Sequence, residues 1–344
     1  MTASSSPLVT VLMPVYNAAP YLAEAVESIL SQTLTDFEFL VVDDGSTDDS
    51  VEILRQYNDP RIRIIRNLGN LGIARALNRG LEEAAGRYVA RMDADDISRP
   101  GRLARQLAFM EANPATGLCG SWVRFFPYPE RYTWKLPATS AEIRCRQFHT
   151  VGVAHPTVFF RRELFARHGL TYDPAYPLLE DYELWGRALR HTEFANIQEV
   201  LLDYRISGSQ ITTAHRSAQL ERAEALRRER VEELGITPSL QERSLHESVV
   251  NCRPPGDEHF FERAEEWLLR LIETNRAAGL YDPVLFARQM YELWYGLCAS
   301  GRGGDRLKRI IGTRILSEAH LPILTFVKHA VACLARREDR GSNV

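Results

Sequence analysis

Over its first 115 residues the chain alternates short apolar runs with segments whose apolar side chains return every three or four positions. Leu8 to Met13 is an apolar run stopping at Pro14, the pattern of a buried strand. Leu22, Val26, Ile29 and Leu30 then recur at helical spacing, which predicts an amphipathic helix over 21–31. Aromatic and β-branched residues from Phe37 to Val42 predict a second strand, and Thr47 to Asp49 offer caps for a short helix through Leu54. Ile62–Arg66 reads as a third strand and Ile73–Ala85 as a helix closed by Gly86. Tyr88–Met92 reads as a fourth strand, and Arg102–Asn113 as a helix stopping before Pro114. Strand and helix in this rhythm predict an α/β fold with a mostly parallel, doubly wound sheet.

Beyond residue 117 the rhythm loosens. Strands are predicted at 118–126, 157–161 and 200–205, with Pro127, Pro129 and Pro137 in the intervening stretch. Residues 181–190 read as a helix with Leu184, Trp185 and Leu189 inward. From 216 to 247 Arg and Glu dominate, with Leu220, Ala223 and Leu226 at helical intervals, and 258–278, 284–299 and 321–337 also look helical. This change of character places a boundary near residue 215, between a mixed α/β domain over 1–215 and a helical C-terminal region over 216–344.

Composition narrows the classes. Hydrophobic residues at 45% and charged residues at 25% describe an ordinary globular chain. A net charge of -3 gives no reason to expect a nucleic-acid partner, which would call for a basic face. Cys119, Cys145, Cys252, Cys298 and Cys333 are scattered without a CxxC pair, which suits buried thiols in a reducing cytoplasm better than a disulfide framework or zinc site. The start of the chain has no basic n-region, and no segment reaches the roughly 20 apolar residues that span a bilayer. The spacing of Leu321, Leu324, Val327, Val331 and Leu334 predicts one helix face, followed by Arg336, Arg337 and Arg340. Packing against the mixed α/β domain or a second subunit is the preferred reading of that face, and docking on an anionic membrane surface the alternative.

The candidate chemistry starts at Asp93-Ala94-Asp95-Asp96, where three carboxylates follow a strand directly. At the carboxyl end of a parallel strand, where α/β proteins bind ligands, such a cluster calls for a cation. Mg2+ or Mn2+ suits it, because hard cations take carboxylate oxygens and leave positions open for phosphate. A solvated acidic turn capping the next helix is the plainer alternative. Pro14 to Asn17 closes the first strand at the same sheet edge, where Tyr16 can stack on a flat base or merely cover the sheet end. Asp43 and Asp44 end the second strand, placed to accept hydrogen bonds from a base or ribose, or to form an Asx-type turn before Gly45. Arg75, at the start of a helix, suits a pyrophosphate or a base carbonyl, against the alternative of a solvated helix arginine. Glu180 and Asp181 open another helix, where acidic residues are also ordinary.

Four segments in order, Val11-Leu12-Met13-Pro14-Val15-Tyr16-Asn17, Val41-Val42-Asp43-Asp44-Gly45-Ser46, Asp93-Ala94-Asp95-Asp96 and Leu179-Glu180-Asp181-Tyr182-Glu183-Leu184-Trp185, resemble family 2 of the inverting glycosyltransferases. The resemblance covers the chain to about residue 215 and implies the GT-A fold. It implies a nucleotide-sugar donor, expected here to be a UDP-sugar, and a glycan or lipid-linked acceptor. The segment with Pro14, Tyr16 and Asn17 would line the nucleotide pocket, Asp44 would contact the base, and Asp43 would support the turn or meet the ribose. Asp95 matches the principal metal ligand and Asp93 the carboxylate that meets the sugar or ribose, with Asp96 assisting. Asp181 matches the catalytic base, Glu180 would orient the acceptor or the loop, and Arg205 would meet the diphosphate or close a loop over it. Some relatives carry a histidine shortly after such an arginine. Here Arg205 is followed by Ile206-Ser207-Gly208-Ser209-Gln210, so that ligand is missing and His215 or water would substitute. His155 is either a phosphate or acceptor contact or a structural residue. The competing readings are a sugar nucleotidyltransferase, which would need a Gly-rich phosphate loop not seen after the first strand, and a non-catalytic nucleotide- or glycan-binding protein, which would need no Asp181.

Overall fold

A computed structural model of the chain describes residues 6–129, 132–206, 216–257, 259–300 and 306–321, with backbone only for 216–220. His215, Ser207 to Gln210 and the apolar face proposed beyond Leu321 lie outside the described residues. The chain forms two compact units, Met1–Ile143 with Thr150–Arg222, and Arg144–His149 with Ala223–Val344.

In the first unit, Val9–Val15 (β1), Phe37–Asp43 (β2), Ile62–Arg66 (β3) and Tyr88–Arg91 (β4) pair in parallel in the order β3-β2-β1-β4. The strands read as continuous apolar runs because both faces are covered. On one face Val11, Met13 and Val15 pack with Leu22, Val26 and Ile29 of the helix Ala19–Leu30 (α1). On the other, Leu12, Leu40 and Val42 meet Ala74, Ala76 and Leu77 of the helix Ile73–Glu83 (α3), which follows a short helix at Ser50–Arg55 (α2). Gly80 makes that approach possible: a Cβ there would lie 2.2 Å from Leu12 Cδ1. Pro14 sits inside β1 rather than ending it, and β1 pairs with β4 only over Val9–Leu12, so no β4 partner is lost at the proline.

After β4 the sheet changes direction. Phe159–Arg161 (β8) runs antiparallel to β4 and to Thr116–Phe126 (β6), and β6 pairs in parallel with Glu193–Arg205 (β9). The two-residue strand Ile97–Ser98 (β5) pairs antiparallel with β9, so the segment between β4 and β5 is held at both ends. Thr133–Trp134 (β7) folds back on β6 as a hairpin. Parallel pairings carry the longest ladders, as expected from the α/β rhythm. Several boundaries differ from the sequence reading. β9 begins at Glu193 rather than 200, a 3-10 turn at His155–Thr157 delays β8, and helices at Ser140–Gln147 and Arg162–Arg167 were not anticipated.

The second unit is helical, with Leu240–Val250, Phe260–Ala278, Pro283–Ser300, Arg306–Gly312 and Ile315–Ala319 following the long helix Arg216–Glu233. Trp267, Leu271, Phe286, Met290, Trp294 and Leu297 form its core, which Cys145 and Phe148 join. Ser239 and Glu242 form a reciprocal capping box at the start of Leu240–Val250. Among the described residues no helix is long and apolar enough to cross a membrane.

Candidate active site

β4 delivers its last residues to the carboxyl edge of the sheet, and the chain turns there through Asp93 to Asp96 before β5 pairs with β9. One oxygen each of Asp93, Asp95 and Asp96 lies within 4.8 Å of the others. Burial and the neighbouring Asp93 push the Asp95 carboxyl up to about 6, and Asp96 moves upward for the same causes with Asp95 added. Asp96 Oδ1 accepts from the backbone N–H of Arg205 at 2.9 Å, while its buried Oδ2 has no hydrogen-bond partner. Three convergent carboxylates, one with an orphaned buried oxygen, fit a divalent cation such as Mg2+ or Mn2+ by donor chemistry.

Beneath this turn lies Arg91, in an otherwise apolar strand and only 3% exposed at its side chain. It is ion-paired with Asp93. Its carbonyl accepts from Nη2 of Arg102 at 2.6 Å; Arg102 is itself fully buried at the start of the helix Arg102–Ala112 (α4) and held by Gln106 Oε1 at 3.0 Å. The Arg91 charge also stabilises the carboxylates of Glu180 and Asp181, which open the helix Glu180–Ala188. Burial pushes Asp181 up to about 6, with Tyr182 N–H and Arg91 opposing and Asp93 adding to the rise. Burial and then Asp181 push Glu180 up to about 7, and Glu180 Oε2 is buried without a hydrogen-bond partner. Asp181 is half-buried, its Oδ1 accepting from Tyr182 N at 2.7 Å. The acidic turn and the start of this helix, 84 or more positions apart in sequence, thus share one buried cation.

Arg205 closes the turn from the β9 side. Its Nε donates to the Asp95 carbonyl at 2.8 Å, it pairs with Glu24, and its guanidinium lies 4.5 Å from the ring centroids of both Tyr21 and Phe126. In this structure Arg205 braces the acidic turn. His155 is buried and kept neutral by burial and by Arg91; its Nε2 is 2.9 Å from the Tyr172 hydroxyl and its ring meets Trp185 edge-on.

The other edge residues form a second, interlocked group. Asn17 has a left-handed φ of 50°, its N–H donates to Ser46 Oγ at 3.0 Å, and its Oδ1 accepts from Thr47 N at 2.9 Å. Pro14 pairs in register with Val42, and Tyr16 is exposed beside them. Asp43 Oδ1 accepts from Ser46 N at 3.1 Å, and Oδ2 is ion-paired with Arg66 at 3.0 Å. Asp44 accepts from Asn67 Nδ2 at 2.6 Å, Leu71 N at 3.1 Å and Gly72 N at 2.9 Å, so its carboxylate shapes the loop before α3. Arg75 is exposed on that helix, with Nη1 donating to the Leu71 carbonyl at 3.1 Å.

Sequence reasoning passed over Arg91, Arg102 and Tyr172, and gave Tyr204, beside Arg205, no role of its own. Tyr172 and Tyr204 share the field of the carboxylates, Tyr172 that of Glu180 and Asp181 and Tyr204 that of the acidic turn. A signal for Arg91 was present: a cation in an apolar strand needs a buried partner, and three carboxylates follow within five positions.

Fold and site together define a glycosyltransferase of the GT-A α/β class. The sequence model of glycosyl transferase family 2 matches residues 10–169. An uncharacterized glycosyltransferase of Haemophilus influenzae is 33% identical over 237 residues, covering 65% of this chain and 73% of that protein. An uncharacterized glycosyltransferase of Methanocaldococcus jannaschii is 36% identical over 214 residues, covering 58% of this chain and 71% of that protein. The chain belongs to glycosyl transferase family 2. In structure it is similar to S. aureus TarS in complex with UDP-GlcNAc, with TM-score 0.57 and 19% identity over 84% of this chain and 87% of that one. It is also similar to mannosyltransferase PcManGT from Pyrobaculum calidifontis in complex with GDP-Man and Mn2+, with TM-score 0.50 and 17% identity over 97% and 87%. At those identities the likeness is one of fold.

Proposed function

We propose that this chain transfers a sugar, with inversion, from a nucleoside diphosphate sugar to a hydroxyl of a glycan or lipid-linked acceptor. The observation that carries the reading is the convergence of the acidic turn and the Glu180–Asp181 helix start on the buried cation Arg91. Asp181 takes the acceptor proton on a carboxylate oxygen, the acceptor oxygen bonds to the anomeric carbon, and the bond to the diphosphate oxygen breaks with its electron pair leaving on the nucleoside diphosphate. Transfer in one displacement needs one base, in contrast to the carboxylate pair of a glycosidase. Asp93 and Asp95, assisted by Asp96, would hold Mn2+ or Mg2+, which when bound stabilises charge on the leaving diphosphate. Glu180 orients Asp181 and the acceptor side of the site.

Pro14, Tyr16, Asn17, Asp43 and Asp44 belong to the nucleotide side of this reading, and Arg75 stands at its rim. Asp44 then acts by building the 67–72 loop, and Arg205 by bracing the metal-binding turn. UDP is the favoured nucleotide, in keeping with the UDP-GlcNAc complex of the fold neighbour TarS. The donor side of this reading falls within residues 1–215, and the reaction in the cytoplasm, where the buried free thiols Cys119, Cys145 and Cys298 would stay reduced.

Calorimetric titration with UDP and with GDP, in Mn2+, Mg2+ or EDTA, tests the donor half. One nucleotide should bind in a metal-dependent way, and Asp95→Ala should abolish that binding. Equal binding in EDTA and in the variant would sink the metal assignment.

A further inference from the structure

Inside the first unit a polar pair sits where apolar packing alone would have sufficed. Tyr172 is 2% exposed and lies in the core cluster that holds Leu12, Leu77, Phe160, Leu184 and Trp185. Its hydroxyl is 2.9 Å from Nε2 of the buried His155, and the two ring centroids are 5.4 Å apart. Phenylalanine and leucine could occupy such positions with no polar atom to satisfy. A buried hydrogen bond is directional where apolar contact is not, so it fixes one arrangement of the elements that carry it.

Those elements are the ones on which the site depends. Asn78 of α3 holds the main chain of Tyr172 from both sides: Tyr172 N–H donates to Asn78 Oδ1 at 2.8 Å, and Asn78 Nδ2 donates to the Tyr172 carbonyl at 2.7 Å. One side chain thus does the work of a neighbouring strand, across 94 positions of sequence. The 3-10 turn that carries His155 is fastened to β4, since Arg91 N–H donates to the Val158 carbonyl at 3.0 Å and Val158 N–H to the His155 carbonyl at 3.3 Å. The rings of Tyr172 and His155 both meet Trp185 edge-on, at 6.3 and 5.8 Å between centroids. Trp185 follows Asp181 by one helical turn and shares its side of the helix Glu180–Ala188. Arg187 of the same helix donates from Nη2 to the carbonyl of Thr171, next to Tyr172, at 2.7 Å. Tyr172 is therefore a strut with α3 at one end and the turn beneath Asp181 at the other.

We propose that Tyr172, held by Asn78 and His155, is a positioning residue that sets the Asp181 carboxylate against the donor side of the site; this rests on the glycosyltransferase reading above. A general base must stand within hydrogen-bond reach of the proton it takes, and a misplacement of about 1 Å can cost about 10² in rate. The loop built by Asp44 runs into α3 through Gly72, whereas the base opens a different helix. Their spacing is set by what joins the two, and Tyr172 joins them. It acts through the helix turn at Trp185 and not on substrate.

The test is a double-variant cycle on the full chain in Mn2+, reading release of nucleoside diphosphate from a panel of UDP- and GDP-sugars with water as acceptor. Tyr172→Phe, which keeps the ring, and Asn78→Ala should each lower kcat about tenfold, with the donor KM within about twofold of the wild type. In the Asp181→Asn background neither should lower kcat further, because a residue acting through the base has nothing left to position. Hydrogen exchange in Asn78→Ala should quicken over Glu180–Ala188 and stay unchanged in Val9–Val15. Wild-type kcat in both variants, or equal losses with and without Asp181, overturns the proposal. A raised donor KM in place of a lowered kcat overturns it in favour of a wall of the donor pocket. Unchanged exchange over Glu180–Ala188 overturns it whether or not any donor is turned over. A wild type that turns over no donor strikes at the glycosyltransferase reading instead, and the exchange result then decides the strut by itself.

Discussion

At the scale of single residues, the site is organised by charge that has been taken out of water. Arg91 is buried and its ion pair with Asp93 is the direct one, but its field extends to Asp96, Glu180, Asp181 and Tyr172. Removing one partner of a buried pair costs about 3–5 kcal/mol, because the other charge stays behind. Arg91→Met should therefore melt about 6–20 °C below the wild type in EDTA, at about 2–4 °C per kcal/mol for a unit of this size. Mn2+ should narrow the gap by supplying the missing positive charge, and differential scanning fluorimetry in both conditions measures it. A gap that Mn2+ leaves untouched would mean Arg91 serves packing and not the acidic turn. Asp181 makes a different kind of prediction. Asp181→Asn should lower turnover by about 10² to 10⁴ while nucleotide affinity is kept, since a general base contributes about that much. With the wild-type carboxyl raised to about 6 by burial, turnover at saturating donor should fall below pH 6 as the base becomes protonated. Retained turnover in a folded Asp181→Asn protein would move the base elsewhere.

At the scale of elements, the loop from Asn67 to Gly72 shows how a strand end builds a pocket wall. Asp44 at the end of β2 accepts from the Asn67 side chain and the Leu71 and Gly72 amides, and Gly72 enters α3 with φ of 87°. Gly45, at φ of 77°, allows the loop to close, since a Cβ there would come within 2.6 Å of Gly69 backbone atoms. Asp44→Asn would turn one acceptor into a donor facing those amides. The expected outcome is faster hydrogen exchange over 68–72 and nucleotide binding weakened about tenfold, the effect of about 1.4 kcal/mol, with β1 protection unchanged. Intact loop protection together with lost binding would instead favour direct contact of Asp44 with the ligand. Strands β1 to β4 and helices α1 to α4 were legible in the sequence because each obeys one period and one burial pattern, whereas the two-residue β5 was not. Elements set by tertiary contacts were not. The first half of β9 contains Asn196, Gln198 and Glu193, and it is a strand because β6 supplies a ladder and Asn196 donates to the carbonyls of Pro137 and Gly152. Ser140–Gln147 has only weak helical patterning, with the buried Ile143 and Cys145 drawn into different cores. The acidic turn was visible from composition alone, whereas the bracing of Asp95 and Asp96 by Arg205 required a partner more than 100 residues away.

At the scale of the whole chain, the two units carry titratable groups of opposite sign. In the second unit His149 and His246 are buried and held neutral by burial, with Arg146, His246 and Arg227 adding for His149 and Arg227 for His246. His246 Nδ1 accepts from Trp267 Nε1 at 3.1 Å, which fixes a neutral tautomer. Their folded values are lowered from 6.5, so below that pH the unfolded chain binds protons that the folded unit refuses. The stability they contribute is full above about pH 6.5 and is lost as pH falls. In the first unit Asp95, Asp96, Glu180 and Asp181 are raised, so the folded unit holds extra protons between about pH 4 and 7. Their contribution is present at the acid end and lost as pH rises through about 6 to 7, with His155 opposing it. From pH 7.5 to 5.5 in EDTA, hydrogen-exchange protection corrected for intrinsic rates should fall in Phe260–Ala278 and rise in Tyr88–Arg91. Mn2+ should remove the rise, because an ion on the acidic turn competes with those protons, and should leave the fall in the helical unit as it was. Parallel loss of protection in both segments, with or without Mn2+, would show that the carboxylates are not the protonated cluster their burial implies.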